Sequence, residues 1–194
     1  MRIDNWVVVL SSAIILLLLI INIKNSRRFN LYDRWLHHKL IRNHDGFSWQ
    51  VIAFLNDPKL MVVWAVLLAA FLINEEKNIT ALWVLATLGF ADATGIILKR
   101  TIHRRRPFEH SDLESGYSFP SGHVLGATTM ALILLQLFGK KLGLSFIIIL
   151  GVIWVMVIVS RLSLRAHYPS DVIGAASLAI LCFSISQQIF LAII

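Results

Sequence analysis

Six runs of apolar residues, each close to the length that crosses a lipid bilayer, leave this chain few ways to fold. They lie at about Trp6–Ile23, Pro58–Ile73, Thr80–Leu98, Ser121–Phe138, Leu144–Ser160 and Asp171–Ile193. A hydrocarbon core about 30 Å thick takes roughly 20 helical residues to span. Its interior offers no water to the backbone, so the spans must be helices or a closed barrel, and runs this long and continuous read as helices. At 57% hydrophobic residues and a mean hydropathy of +0.74, the 194-residue chain is too apolar for a soluble domain. The expected fold is all-α: a single integral membrane domain over residues 1–194, built as a bundle of six transmembrane helices. The first run is long for a signal peptide and no small-x-small pattern follows it, so it is read as a retained span.

The connections carry the polar residues. Between the first two runs, Phe29–Ile41 mixes apolar and basic residues at near-helical spacing. Leu31, Trp35, Leu36 and Leu40 can share one broad face, which predicts an amphipathic helix lying in the membrane interface. Asn56-Asp57-Pro58 reads as a helix start, a capping side chain followed by proline at the first helical position. Asn74–Asn78 and Gly139-Lys140-Lys141 read as tight polar turns. Gly174-Ala175-Ala176-Ser177 predicts close helix packing. Asp92 lies well inside a run and seven residues before Lys99, so the two share a helix face two turns apart. It reads either as a functional acid or as a buried post for a basic partner.

The formal net charge is +7, and the basic residues sit in short connections between apolar runs. That placement favours anionic lipid headgroups or a phosphorylated substrate over nucleic acid. Cys182 is the single cysteine, so no internal disulfide forms.

Three polar clusters fall at the ends of runs three to six: Lys99–Pro107, Ser118–His123 and Ser160–Asp171. If the runs span alternately, all three meet at one membrane face. The first supplies fixed positive charge, with arginine forks that suit phosphate oxygens. The second places Pro120 as a first helical residue and Ser121, Gly122 and His123 in the first turn, where free backbone N–H groups favour an anion. In the third, His167 and Asp171 are four apart. A carboxylate on one ring nitrogen fixes the tautomer and makes the other a better nucleophile or base. Arg161 closes the fifth run and can reach the same anion. Taken singly, each cluster has an ordinary structural reading: a solvated basic loop, a helix start, a chance His-Asp spacing. Their convergence on one face argues for a site.

The clusters resemble a known family. Lys99–Pro107 matches K-x6-R-P, Pro120–His123 matches P-S-G-H, and Ser160–Asp171 matches S-R-x5-H-x3-D. These are the three motifs of the type 2 phosphatidic acid phosphatase (PAP2) superfamily, with no departure in residue or spacing. The resemblance implies a lipid phosphate phosphatase in which His167 attacks phosphorus to form a phosphohistidine, Asp171 orients it, and His123 protonates the leaving oxygen. It implies that Lys99, Arg106, Arg161, Ser121 and the Gly122 amide hold the phosphoryl oxygens. It also implies no metal and no other cofactor, cationic side chains filling that role. His103, His110 and Arg165 are second-tier candidates, and the spacing excludes Arg104 and Arg105 as the motif arginine.

The resemblance further implies a site on the extracytoplasmic face of the cell membrane, with both termini inside. The Lys/Arg distribution points the other way. The connections on the site's side carry thirteen (six in Lys24–Asp57, five in Lys99–Pro120, two in Arg161–Ser170). The opposite side has only Arg2, Lys77, Lys140 and Lys141. Within the superfamily, P-S-G-H and the preceding Gly116–Phe119 look like small bacterial phosphatidylglycerophosphate and phosphatidate phosphatases. An undecaprenyl-pyrophosphate phosphatase or a lipid A phosphatase is the alternative. A reading of another class is a non-catalytic anionic-lipid binding or transport protein, which would need the cations but not the His167–Asp171 pair.

Overall fold

The computed structural model describes residues 5–40, 46–107 and 116–193. Seven helices run through them: α1 (Asn5–Asn25), α2 (Arg27–Leu40), α3 (Phe47–Leu55), α4 (Pro58–Asn74), α5 (Asn78–Ile102), α6 (Gly122–Ser163) and α7 (Pro169–Ile193). Among the described residues there is no strand, so the all-α expectation holds. Helices α1, α5, α6 and α7 are each long and apolar enough to cross a membrane. Helices α3 and α4, bent 47° from one another, make a fifth span if taken together. The chain is thus a multi-pass membrane protein in composition and architecture.

Helix α6 is not one rod. Gly143 breaks it with φ 71° and ψ −161°, a conformation that essentially only glycine adopts. Beyond the break the helix folds back on itself. Trp154 Nε1 donates to Thr128 Oγ1 at 2.8 Å, although 26 residues separate them. In a straight helix those residues would stand about 39 Å apart. The reversal corrects the predicted turn at Gly139-Lys140-Lys141. Those residues stay helical, and the chain turns at Gly143, where the backbone needs a residue without a Cβ.

Packing faces are built from small residues, as expected where lipid supplies no hydrophobic drive between helices. Helix α4 buries Met61, Ala65, Ala69 and Leu72, one stripe at helical spacing, against Trp83, Val84 and Leu88 of α5. Helix α7 is central, packing on α1, α2, α5 and α6. It buries Gly174, Ala175, Ser177 and Ala179. A Cβ at Gly174 would overlap the ring of Phe119, which is wholly buried there. The predicted close-packing patch therefore seats the segment before the second motif.

The predicted helix starts hold with one adjustment. Asp57 caps α4, its carboxylate accepting from Lys59 N–H at 2.9 Å, and Pro58 is the first helical residue. Pro169 opens α7. Pro120, by contrast, precedes α6. Ser121 is the N-cap, its N–H held by the Asp171 carbonyl at 3.2 Å, and Gly122 is the first helical residue. Helix α3 was not foreseen; its nine residues lie inside what reads as a connection. His110 and Ile41 lie outside the described residues.

Candidate active site

The three polar clusters meet. Helix α5 ends in a left-handed residue, His103 (φ 54°), and the chain turns Arg104 back into the bundle. Ser118 N–H donates to the Arg104 carbonyl at 2.8 Å, stapling the first cluster to the second. After α6, Arg165 (φ 53°) makes a second left-handed turn, with its N–H on the Leu162 carbonyl at 2.9 Å. That turn carries His167 back beneath Ser118.

His167 is 1% exposed. Its Nδ1 lies 2.8 Å from the Ser118 carbonyl oxygen. A backbone carbonyl only accepts, so Nδ1 carries the proton and Nε2 the lone pair. Asp171 Oδ2 stands further off, 3.7 Å from Nδ1. The ring's orientation, expected from Asp171 alone, is therefore shared with Ser118, whose carbonyl sequence patterns do not flag. Burial pushes the His167 pKa down to about 4; the Asp171 carboxylate opposes the shift, and the Arg161 and Arg106 charges add to it. The imidazole is neutral at physiological pH, with Asp171 facing Nδ1 and the charges of Arg161 and Arg106 nearby, and is suited to attack an anionic electrophile.

Of the predicted phosphate-binding residues, Arg161 and Arg106 act on the His167 ring, Ser121 N–H donates to the Asp171 carbonyl, and Lys99 and Gly122 line a separate cavity. Arg161 is 1% exposed. Arg106 donates from Nη1 to the Ala166 carbonyl at 3.2 Å and from Nε to the Gly116 carbonyl at 3.3 Å, beside the His167 turn. Ser121 is wholly buried and its Oγ has no hydrogen-bond partner among the described residues. A Cβ at Gly122 would lie 3.3 Å from Pro58 Cγ and 3.9 Å from Lys99 Nζ, so a side chain here would crowd the lysine head. Lys99, Gly122 and Asp92 line one cavity of about 320 Å³ with Lys59, which bears out the shared face of Asp92 and Lys99.

His123, 8% exposed, lines a cavity of its own with Arg161. Its Nε2 is 3.8 Å from Asp57 Oδ2, a carboxylate with 41% of its side chain exposed. His123, Arg161 and Asp57 line a cavity of about 220 Å³ that α3 roofs with Gln50, Ala53 and Phe54. Trp49 of α3 accepts a 2.8 Å bond at its carbonyl from Ser160 Oγ, which fixes the roof to the third cluster.

Sequence reasoning passed over the carboxylate side of the site. Arg104 is buried, Nη1 donating to Asp171 Oδ1 and Ser170 Oγ, both at 2.6 Å. Its Nη2 donates to Asp33 Oδ2 at 2.6 Å. Its pKa is raised: burial alone would lower it, and the charges of Asp171 and Asp33 outweigh that. The signal was present in α2, where Asn30, Asp33 and His37 recur at helical spacing as a polar face opposite Leu31 and Trp35. Among the described residues, His103 stacks edge-on to Tyr117 at 4.5 Å rather than joining the site. Arg165 serves the turn. No group of three or more His, Cys, Asp or Glu among the described residues is arranged to hold a metal ion.

The class that these features define is a multi-pass helical membrane protein with a buried histidine beside two arginines and an aspartate. The chain belongs to the PAP2 superfamily, which it matches over residues 80–193. It is 32% identical over 139 residues to phosphatidylglycerophosphatase B of Bacillus subtilis (strain 168), covering 68% of each chain. It is 37% identical over 81 residues to the Haemophilus influenzae protein of the same name, covering 39% of this chain and 34% of that one. A decaprenylphosphoryl-5-phosphoribose phosphatase of Mycobacterium tuberculosis is 34% identical over 102 residues, or 48% of this chain and 54% of the relative. The crystal structure of the transmembrane PAP2-type phosphatidylglycerolphosphate phosphatase from Bacillus subtilis superimposes with a TM-score of 0.83 at 26% identity. It covers 96% of this chain and 97% of that one.

Proposed function

We propose that this PAP2 protein hydrolyses a lipid phosphomonoester, phosphatidylglycerophosphate or phosphatidate, through a phosphohistidine at His167. The observation that carries the reading is the His167 ring: neutral, with its proton on Nδ1 toward Ser118, and beside the charges of Arg106 and Arg161. The Nε2 lone pair forms the P–N bond as the P–O bond to the lipid breaks. The leaving oxygen takes its electron pair and a proton from His123. Neutral His123 then draws a proton from water, whose oxygen bonds to phosphorus as the P–N bond breaks and its electron pair returns to His167 Nε2, releasing inorganic phosphate. Lys99, Arg106, Arg161, Ser121 and the Gly122 amide hold the phosphoryl oxygens, where positioning and fixed charge supply most of the acceleration. No metal takes part.

The relatives named for phosphatidylglycerophosphate support the diacyl substrate; those named for a decaprenyl lipid keep a polyprenyl phosphate as the competitor. Competition among phosphatidylglycerophosphate, phosphatidate and undecaprenyl pyrophosphate ranks them. In the membrane, the two legs of α6 count as two spans and α3 with α4 as one, giving six, with α2 in the interface. The site faces the extracytoplasmic side. An impermeant thiol reagent on intact cells should then leave Lys141→Cys unlabelled, and labelling overturns that orientation.

The decisive experiment uses detergent-purified protein with EDTA present and 32P-labelled lipid phosphate. The wild type should turn over and trap an acid-labile, alkali-stable phosphoenzyme. His167→Ala should lose both, with activity down about a thousandfold or more. Unaltered turnover in that variant sinks the covalent route, and loss of wild-type activity on chelation sinks the metal-free one. With the His167 pKa near 4, the acid limb of kcat/KM, corrected for substrate ionisation, should fall near pH 4 rather than 6.5.

A further inference from the structure

Arg104 fills an unspecified position of the first motif, and none of the three motifs reaches α2, yet the structure joins both to the site. Arg104 donates to four groups. Nη1 serves Asp171 Oδ1 and Ser170 Oγ at 2.6 Å, and Nη2 serves Asp33 Oδ2 at 2.6 Å and Asn30 Oδ1 at 3.3 Å. Asp33 in turn grips the first turn of α7, accepting from Ser170 Oγ at 2.5 Å and Ser170 N–H at 3.2 Å. The Tyr168 ring covers the guanidinium at 4.4 Å. The remaining oxygen of Asp171, Oδ2, accepts from Tyr168 N–H at 2.8 Å and faces His167 Nδ1. Three segments thus fix the rotation of one carboxylate.

Two buried carboxylates around one buried guanidinium are a costly way to hold helices together. Apolar side chains of the same volume usually stabilise as well or better. What the cluster provides that apolar packing does not is orientation: a planar fork sets the plane of each carboxylate it meets. It also leaves one net negative charge on the Nδ1 side of His167, where the ring becomes cationic on phosphorylation. We propose that Arg104 and Asp33 are positioning residues for phosphoryl transfer: Arg104 sets the Asp171 carboxylate, Asp33 sets Arg104, and α2 is in this way part of the catalytic apparatus. The proposal rests on the His167 reading above.

The test is steady-state kinetics on the full-length detergent-purified protein with a short-chain phosphatidic acid, using the monodisperse fraction of each variant. Asp33→Asn and Arg104→Gln should each lower kcat at least tenfold with KM within threefold, and the double variant should be no slower than Arg104→Gln. The groups facing His167 are Asp171 from α7, Arg161 from α6 and Arg106 from the connection after α5, with Arg104 and Asp33 behind Asp171. Removing the Arg104 charge favours protonated His167, so the acid limb of kcat/KM should move to higher pH. Removing the Asp33 charge should move it to lower pH. Arg104→Lys keeps the charge but not the fork, so it should lose kcat with the limb in place. Arg28→Gln, on the exposed side of α2, should match the wild type.

If kcat stays within twofold in Asp33→Asn and Arg104→Gln, the proposal is overturned. A loss of kcat with an unmoved acid limb in both reduces the cluster to scaffolding and overturns it too. Asp33→Asn is isosteric and decides the matter alone if Arg104→Gln does not fold. A phosphoenzyme that persists in His167→Ala is a different failure, because it removes the nucleophile on which both readings stand.

Discussion

The two histidines of the site are both buried, His167 at 1% and His123 at 8% exposure, but they are enclosed differently. His167 is sealed in, its proton assigned by the Ser118 carbonyl, its carboxylate partner wholly buried and held by Arg104 and Tyr168 N–H. His123 lines an open cavity and faces Asp57, a carboxylate that reaches solvent. In the proposed reaction the first forms a bond to phosphorus and must not change its tautomer. The second gives and takes a proton and needs water within reach. The difference suits the two kinds of work in the proposed reaction: a ring held on both sides keeps its lone pair, while a ring beside a cavity and a solvent-reaching carboxylate is placed to exchange protons.

Substitutions that strike one side only are the way to break this contrast. His123→Asn should cost the most, about a hundredfold or more in kcat on a lipid phosphate, the usual worth of a general acid. The deficit should shrink on an aryl phosphate whose leaving oxygen needs no proton; an equal loss on both substrates would deny His123 the acid's role. Gly174→Ala strikes the sealed side. Its methyl group meets the Phe119 ring, 2.6 Å from Cζ, next to the carbonyl that orients His167. Overpacking of this kind costs about 1–3 kcal/mol, and kcat should fall roughly tenfold with it. A variant of unchanged melting temperature and kcat would show that the Phe119 seat does not govern the ring. Asp57→Asn should have the smallest effect, about threefold in kcat, by analogy with a solvent-screened ion pair worth under about 1 kcal/mol. Steady-state kinetics check it: a loss of about a hundredfold or more would show that Asp57 takes part in the chemistry itself.

Much of this was legible in the sequence because the bilayer imposes it. Runs of spanning length announce helices, and alternation brings Lys99, Ser121 and His167 to one face without any tertiary information. Pro58 and Pro169 mark real helix starts because proline lacks the N–H that a first turn leaves unused. Arg104 was set aside by its spacing, and Asp33 went unremarked, because their importance lies in contacts between segments 71 residues apart. Helix α2 shows the same limit. Its apolar residues Leu31, Trp35, Leu36 and Leu40 read as the working face; Leu31, Trp35 and Leu40 are exposed and Leu36 is half-buried. The face that meets the bundle is the polar one, which a search for hydrophobic stripes does not weigh. The helix α3 roof escaped because nine residues between two polar stretches carry too little periodicity to stand out.

The reversal at Gly143 has a mechanical meaning for the family signature. Gly122 and Ser163 end the two legs of α6, so the P-S-G-H segment and Arg161 are the tips of one pair of tongs hinged at Gly143. The lengths of the legs act as a gauge. One residue added to either leg would turn its tip by about 100° and lift it by about 1.5 Å. Either His123 or Arg161 would then swing out of the cavity they share. An insertion at the hinge shifts neither tip. The separation between the second and third motifs is thus held by the two arms, and extra residues should be tolerated only at the far end, opposite the site.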